Sequence, residues 1–97
     1  MDVRIQAIHF DATAQLESFI QKKVSKLSRF HEGIMDAEVT LKVVKPETSM
    51  NKEASLKLLL AGNEDLFSSK VADTFEEAVD LAVEALERQL EKTKKKK

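Results

Sequence analysis

The sequence predicts an α+β domain of order β-α-β-β-β-α, with two helices packed on one face of a four-stranded sheet. Three observations carry that prediction. Apolar residues recur with a period of two in some segments and near 3.6 in others. Each helical segment has one apolar stripe, and the central strands share one apolar face. No interdomain linker or internal repeat divides the 97 residues, so a single core between helices and sheet is the economical solution.

Taken in order, "VRIQAIHF" is a strand with Val3, Ile5 and Ala7 on one face. Asp11 or Thr13 caps a helix running to about Phe30, and Gly33 marks its exit. "AEVTLKVV" alternates, with Ala37, Val39, Leu41 and Val43 inward, and Pro46 ends it because proline cannot donate a ladder hydrogen bond. After the loop "PETSMN", the strand "EASLKLLL" turns Ala54, Leu56, Leu58 and Leu60 inward. "AGNED" carries a Gly-Asn turn signal leading into the strand "LFSSKVA". From Asp73 the period becomes helical, with Phe75, Val79, Ala82, Val83, Leu86 and Leu90 on one stripe. The folded domain is expected to span 1–93, with 94–97 a basic disordered tail.

Composition excludes several functions. Hydrophobic residues at 42% and charged residues at 34% suit a soluble globular fold. Without cysteine there are no disulfides, thiolate metal sites or cysteine nucleophiles. No apolar run approaches the ~20 residues of a membrane span, and the N-terminus lacks the apolar core of a signal peptide. A cytoplasmic protein with no membrane partner is expected. His9 and His31 lie in different segments with no metal-ligand cluster around them, and neither of the two glycines belongs to a phosphate-cradling loop. No catalysis, no cofactor and no small-molecule substrate are expected.

The net charge of −1 hides a strong asymmetry. Residues 21–45 carry six basic against three acidic residues, residues 64–87 one against eight, and residues 88–97 six against one. On the first helix Lys22, Lys26 and Arg29 form one stripe at i, i+4, i+7, while Lys23 falls inside the apolar arc, its stem along the core and its ammonium at the rim. On the last helix Arg88, Lys92 and Lys95 repeat the spacing. Two such ridges with a groove between them would suit a phosphate backbone. The bland alternative is a solvated surface with Glu84–Arg88 and Glu91–Lys95 pairs, each worth a few tenths of a kcal/mol. Arg4, Lys42, Lys57 and Lys70 are expected on the open sheet face. Base stacking there is disfavoured, since the chain has no Tyr or Trp and, of its five Phe, only Phe10 is expected near that face.

"FIQKKVSKLSRF", "VTLKVVK" and "DTFEEAVDLAVEALERQLEKTKKK", in that order and spacing, resemble the short ribosome hibernation-promoting factor and ribosome-associated inhibitor family along essentially the whole chain. The resemblance implies a β-α-β-β-β-α domain similar to double-stranded-RNA-binding folds. It implies binding to small-subunit rRNA in the mRNA channel near the A and P sites. Such binding would block mRNA and tRNA and inhibit translation in stationary phase or starvation. Its partners would be the small ribosomal subunit and rRNA, with room for a helper protein in ribosome dimerisation. Lys23, Lys26, Lys42, Lys45, Arg88 and Lys92 fall where the family is commonly basic; Lys22 and Arg29 extend that surface, and Lys95 continues the second ridge. Two departures stand out. The final helix opens Asp73-Thr74-Phe75 where the family commonly has Asp-x-Tyr, and the chain stops at residue 97, short of the extra domain of long-form members. The alternatives are a protein–protein interaction module and a general double-stranded-RNA binder.

Overall fold

The apolar periodicities close onto one another as expected. The computed structural model describes residues 2–8, 10–29, 33–44, 50–62 and 65–95, with only the backbone of 93–95. Its elements are β1 (Asp2–Ala7), α1 (Ala14–Ser25), a 3₁₀ turn (Lys26–Arg29), β2 (Ile34–Val43), β3 (Lys52–Leu60), β4 (Leu66–Ala72) and α2 (Phe75–Lys95). The sheet order is β1-β2-β3-β4; β1 pairs parallel with β2, and β3 and β4 continue antiparallel. This is the predicted α+β arrangement. Pro46 and Phe30, two of the expected boundaries, lie outside the described residues, and α2 continues through Lys95.

Both helices lie on one sheet face because only that face is apolar. Ala37, Val39, Leu41, Ala54, Leu56 and Leu58 are at most 1% exposed, and they join Ile20, Val24 and Leu27 of the first helical segment and Val79, Ala82, Leu86 and Leu90 of α2 in one core. Phe10 closes one end of it by stacking on Phe75, ring centroids 5.0 Å apart. That contact uses the aromatic ring of the Asp73-Thr74-Phe75 segment for packing. It also removes Phe10 from the open sheet face. Asp73 instead accepts the Met50 N–H at 2.7 Å, tying the end of the β2–β3 connection to the start of α2.

A threonine starts each helix. Thr13 Oγ1 accepts the Leu16 N–H at 3.1 Å, and Thr74 Oγ1 accepts the Glu77 N–H at 3.1 Å. Each bond satisfies a donor that the helix itself leaves unpaired. Thr13→Ala should therefore cost about 1 kcal/mol, read in a thermal melt as a Tm lower by about 4–8 °C for a domain of this size. An unchanged Tm would show that water replaces the cap without loss.

The β4 strand corrects one expectation. Lys70 pairs in register with Ala54, and Ser68 and Ala72, which share its phase, are buried under the helices. Lys70 is therefore on the helix-side phase, and Phe67, 58% exposed, takes the open face beside Lys57.

Candidate nucleic-acid interface

The first helix changes geometry where its charges are. It is α-helical to Ser25 and 3₁₀ from Lys26 to Arg29, with Leu27 fully buried and drawing the tighter turn onto the core. The i, i+4 step from Lys22 to Lys26 advances ~6 Å at 1.5 Å per residue. The i, i+3 step from Lys26 to Arg29 also advances ~6 Å, at 2.0 Å per residue, and side chains three apart eclipse in a 3₁₀ helix. The result is a row of three cations at even steps of ~6 Å along one side of the segment. They line a shallow concavity of about 490 Å³ together with Gln21 and Ser25. All three side chains are exposed, and among the described residues none has an ion-pair partner. Unpaired cations in a row are an electrostatic seat for an extended polyanion.

Lys23 is placed differently. It is half-buried, its Nζ 5.6 Å from the centroid of the Phe19 ring and 3.1 Å from Asp80 Oδ1 of α2. Its ammonium, expected at the rim, engages a carboxylate on the neighbouring helix.

The second ridge lies elsewhere than expected. Gln89 Nε2, late in α2, donates to the Phe67 carbonyl early in β4 at 3.1 Å, so α2 runs antiparallel to β4. α1 joins β1 to the parallel β2 and therefore also runs against the strand direction, which makes the two helices parallel. With Asp80 facing α1, Glu84, Glu87 and Glu91 follow it at i+4, i+7 and i+11, all within about 40° of the same flank. Arg88 and Lys92 are turned about 80° and 120° away from Asp80. The α2 wall that faces α1 is thus acidic, and the anticipated groove with two basic walls is replaced by two basic ridges flanking an acidic strip. Along the axis, Arg88 is ~12 Å beyond Asp80 and Arg29 ~10 Å beyond Lys23, so the ridges stay level with each other.

Of the other candidates, Lys42 is exposed on the open sheet face, opposite Glu53 and across the sheet from the helices. Lys45 lies outside the described residues, and only the backbone of Lys95 is described. Arg88 and Lys92 are exposed and, among the described residues, unpaired; the expected Glu84–Arg88 pair is absent there. On the open face Arg4 bridges Glu38 at 2.9 Å and Asp36 at 3.6 Å, and Lys57 lies 3.8 Å from Asp65. Among the described residues, Arg4 and Lys57 of the sheet and Lys23 of α1 are thus paired with carboxylates, whereas Lys22, Lys26, Arg29, Arg88 and Lys92 of the helices and Lys42 of the sheet are not. The described residues contain no group of three acidic or histidine side chains arranged to hold a metal and no helix long and apolar enough to cross a membrane.

Residues 3–97 match the family model described as Sigma 54 modulation protein / S30EA ribosomal protein. The chain belongs to this family. Among curated S30EA relatives, a ribosome hibernation promoting factor of Azotobacter vinelandii is 29% identical over 96 residues, covering 99% of this chain and 85% of that protein. One from Pseudomonas putida is 26% identical over 96 residues, covering 99% and 89%. The fold of this S30EA chain matches that of a ribosomal subunit interface protein from Coxiella burnetii, with a TM-score of 0.87, 22% identity and coverage of 99% and 100%. It also matches the N-terminal domain of Thermus thermophilus Protein Y, with a TM-score of 0.81, 21% identity and coverage of 96% and 99%. The family resemblance read from the helix segments and the family model therefore agree.

Two features of the S30EA surface had no signal in the sequence reading. Asp80 carries no signal of its role, because its partner is 57 residues away in the chain. Phe67 was missed because "LFSSKVA" has apolar residues at both ends and no clean alternation.

Proposed function

We propose that this chain is a ribosome hibernation factor of the cytoplasm. It binds small-subunit rRNA in the mRNA channel near the A and P sites and keeps idle ribosomes from engaging mRNA and tRNA in stationary phase or starvation. Family membership and the names of the curated relatives support the ribosomal setting. The observation that carries the interface is the row of unpaired cations Lys22, Lys26 and Arg29 along one concavity. Arg88 and Lys92 contribute a second, level ridge. Lys42, Lys45 and Lys95 are peripheral contacts in this reading. Inhibition is steric. The cations neutralise phosphates and fix the orientation of the domain, and the bulk of the domain occupies the path of mRNA and tRNA. No bond is made or broken.

Co-sedimentation with purified small subunits, with labelled mRNA and tRNA as competitors, tests this reading. The protein should pellet with the subunit and displace both nucleic acids. Displacement by any long RNA duplex with equal potency would favour a general duplex binder instead. Phe67, 58% exposed on the open sheet face, favours a protein partner there, and it supplies the control. Phe67→Ser, together with Arg4→Gln and Lys57→Gln, should change subunit binding by less than about threefold, since Arg4 and Lys57 are already paired with carboxylates. A large loss would move the interface to the sheet.

A further inference from the structure

The three basic residues nearest one another in the chain after Lys22 do not share one environment. Lys26 and Arg29 are exposed and, among the described residues, unpaired, whereas Lys23 bridges two helices. Its side chain is 30% exposed, and two contacts hold it: the Phe19 ring and the Asp80 carboxylate at 3.1 Å. Behind Asp80 the same flank of α2 carries Glu84, Glu87 and Glu91. A phosphate approaching Lys23 would meet this acidic strip, while one approaching Lys22, Lys26 or Arg29 from the outer side would not.

Resting on the proposed rRNA interface, we propose that Asp80 is a positioning residue that takes Lys23 out of the phosphate-binding set and makes it a bolt between α1 and α2. Lys23 holds the two ridges level and contributes no phosphate contact of its own. The acidic flank keeps the nucleic-acid backbone on the outer face of α1.

Salt-dependent binding and folding separate this role from that of a phosphate ligand. Wild type, Lys23→Gln, Asp80→Asn, the double variant and the charge exchange Lys23→Glu/Asp80→Lys are titrated against purified small subunits between about 50 and 200 mM salt. The free proteins are unfolded in urea in parallel. In urea, the two single variants should lose stability alike and the double variant should be no worse than either, a coupling of about two- to fivefold in the folding equilibrium constant. The charge exchange should restore both folding and subunit binding to within about threefold. Lys23→Gln should leave the slope of log K against log[salt] unchanged. A slope shallower by about 0.7–0.9 for Lys23→Gln means a lost phosphate contact and overturns the proposal. So does a charge-exchanged protein that folds like wild type but binds at least tenfold more weakly, and so does zero coupling in urea. Failure of the wild type to bind small subunits would overturn the ribosomal reading alone, and the urea cycle would then decide the bolt by itself.

Discussion

The variant Lys22→Glu/Lys26→Glu/Arg29→Glu is expected to lose about 10²–10³-fold or more in affinity for the small subunit at ~0.1 M salt. Each phosphate contact contributes about 0.7–0.9 to the salt slope, so removing three should also flatten that slope by about 2–3. The estimate depends on where these side chains are. All three are exposed and, among the described residues, unpaired, so their charge is available to a ligand and not committed to an internal bridge. For the same reason the fold should tolerate their loss, because surface substitutions of this kind usually change stability by within about 0.5 kcal/mol. Glutamates in the last turn oppose the helix dipole at a cost of about 0.3–1 kcal/mol each, so the matching Gln variant separates charge removal from charge reversal. Circular dichroism of both variants should overlay that of wild type. Undiminished binding by a folded triple variant would place the interface off α1.

A comparably large effect is expected on folding from Leu86→Ala. Leu86 is fully buried on the core side of α2, in the cluster that joins both helices to the sheet. Truncation removes its burial and leaves a cavity, for which about 2–5 kcal/mol is typical. A domain of this size has about 5–15 kcal/mol in total, so the urea midpoint should fall by about an eighth or more, and the largest loss from the least stable domain in that range would leave the chain largely unfolded at 37 °C. The consequence reaches the interface, because Leu86 lies between Asp80 and Arg88 in sequence and seats the helix that carries both. A loss below about 1 kcal/mol would mean that α2 packs less tightly than its burial indicates.

How far the sequence went can be seen element by element. The strands β2 and β3 were legible because Ala37 to Leu41 and Ala54 to Leu58 alternate without interruption. The first cap was legible as Asp11 or Thr13, of which the structure uses Thr13, whereas the cap at Thr74 was not read. The row Lys22, Lys26, Arg29 was legible because it lies on one helix, where spacing alone fixes the face, although the change to a 3₁₀ turn at Lys26 was not. What failed depended on contacts between segments. The phase of β4 could not be read from "LFSSKVA", since its inward positions include Ser68 and Lys70; only pairing with β3 settles it. The acidic flank of α2 could be read as a stripe, but that it faces α1 follows from the Lys23–Asp80 contact. A groove with two basic walls was therefore a reasonable inference from two separate helical wheels, and the rotation of α2 about its axis replaced it.

The central claim is that the helix-borne cations bind rRNA phosphates, and the salt dependence of wild-type binding to purified small subunits tests it most directly. With about five phosphates engaged by Lys22, Lys26, Arg29, Arg88 and Lys92, log K should fall against log[salt] with a slope of about −3.5 to −4.5. A slope near zero with binding intact would contradict the account, because it would mean that the domain holds the ribosome through protein contacts or shape, with its ridges idle.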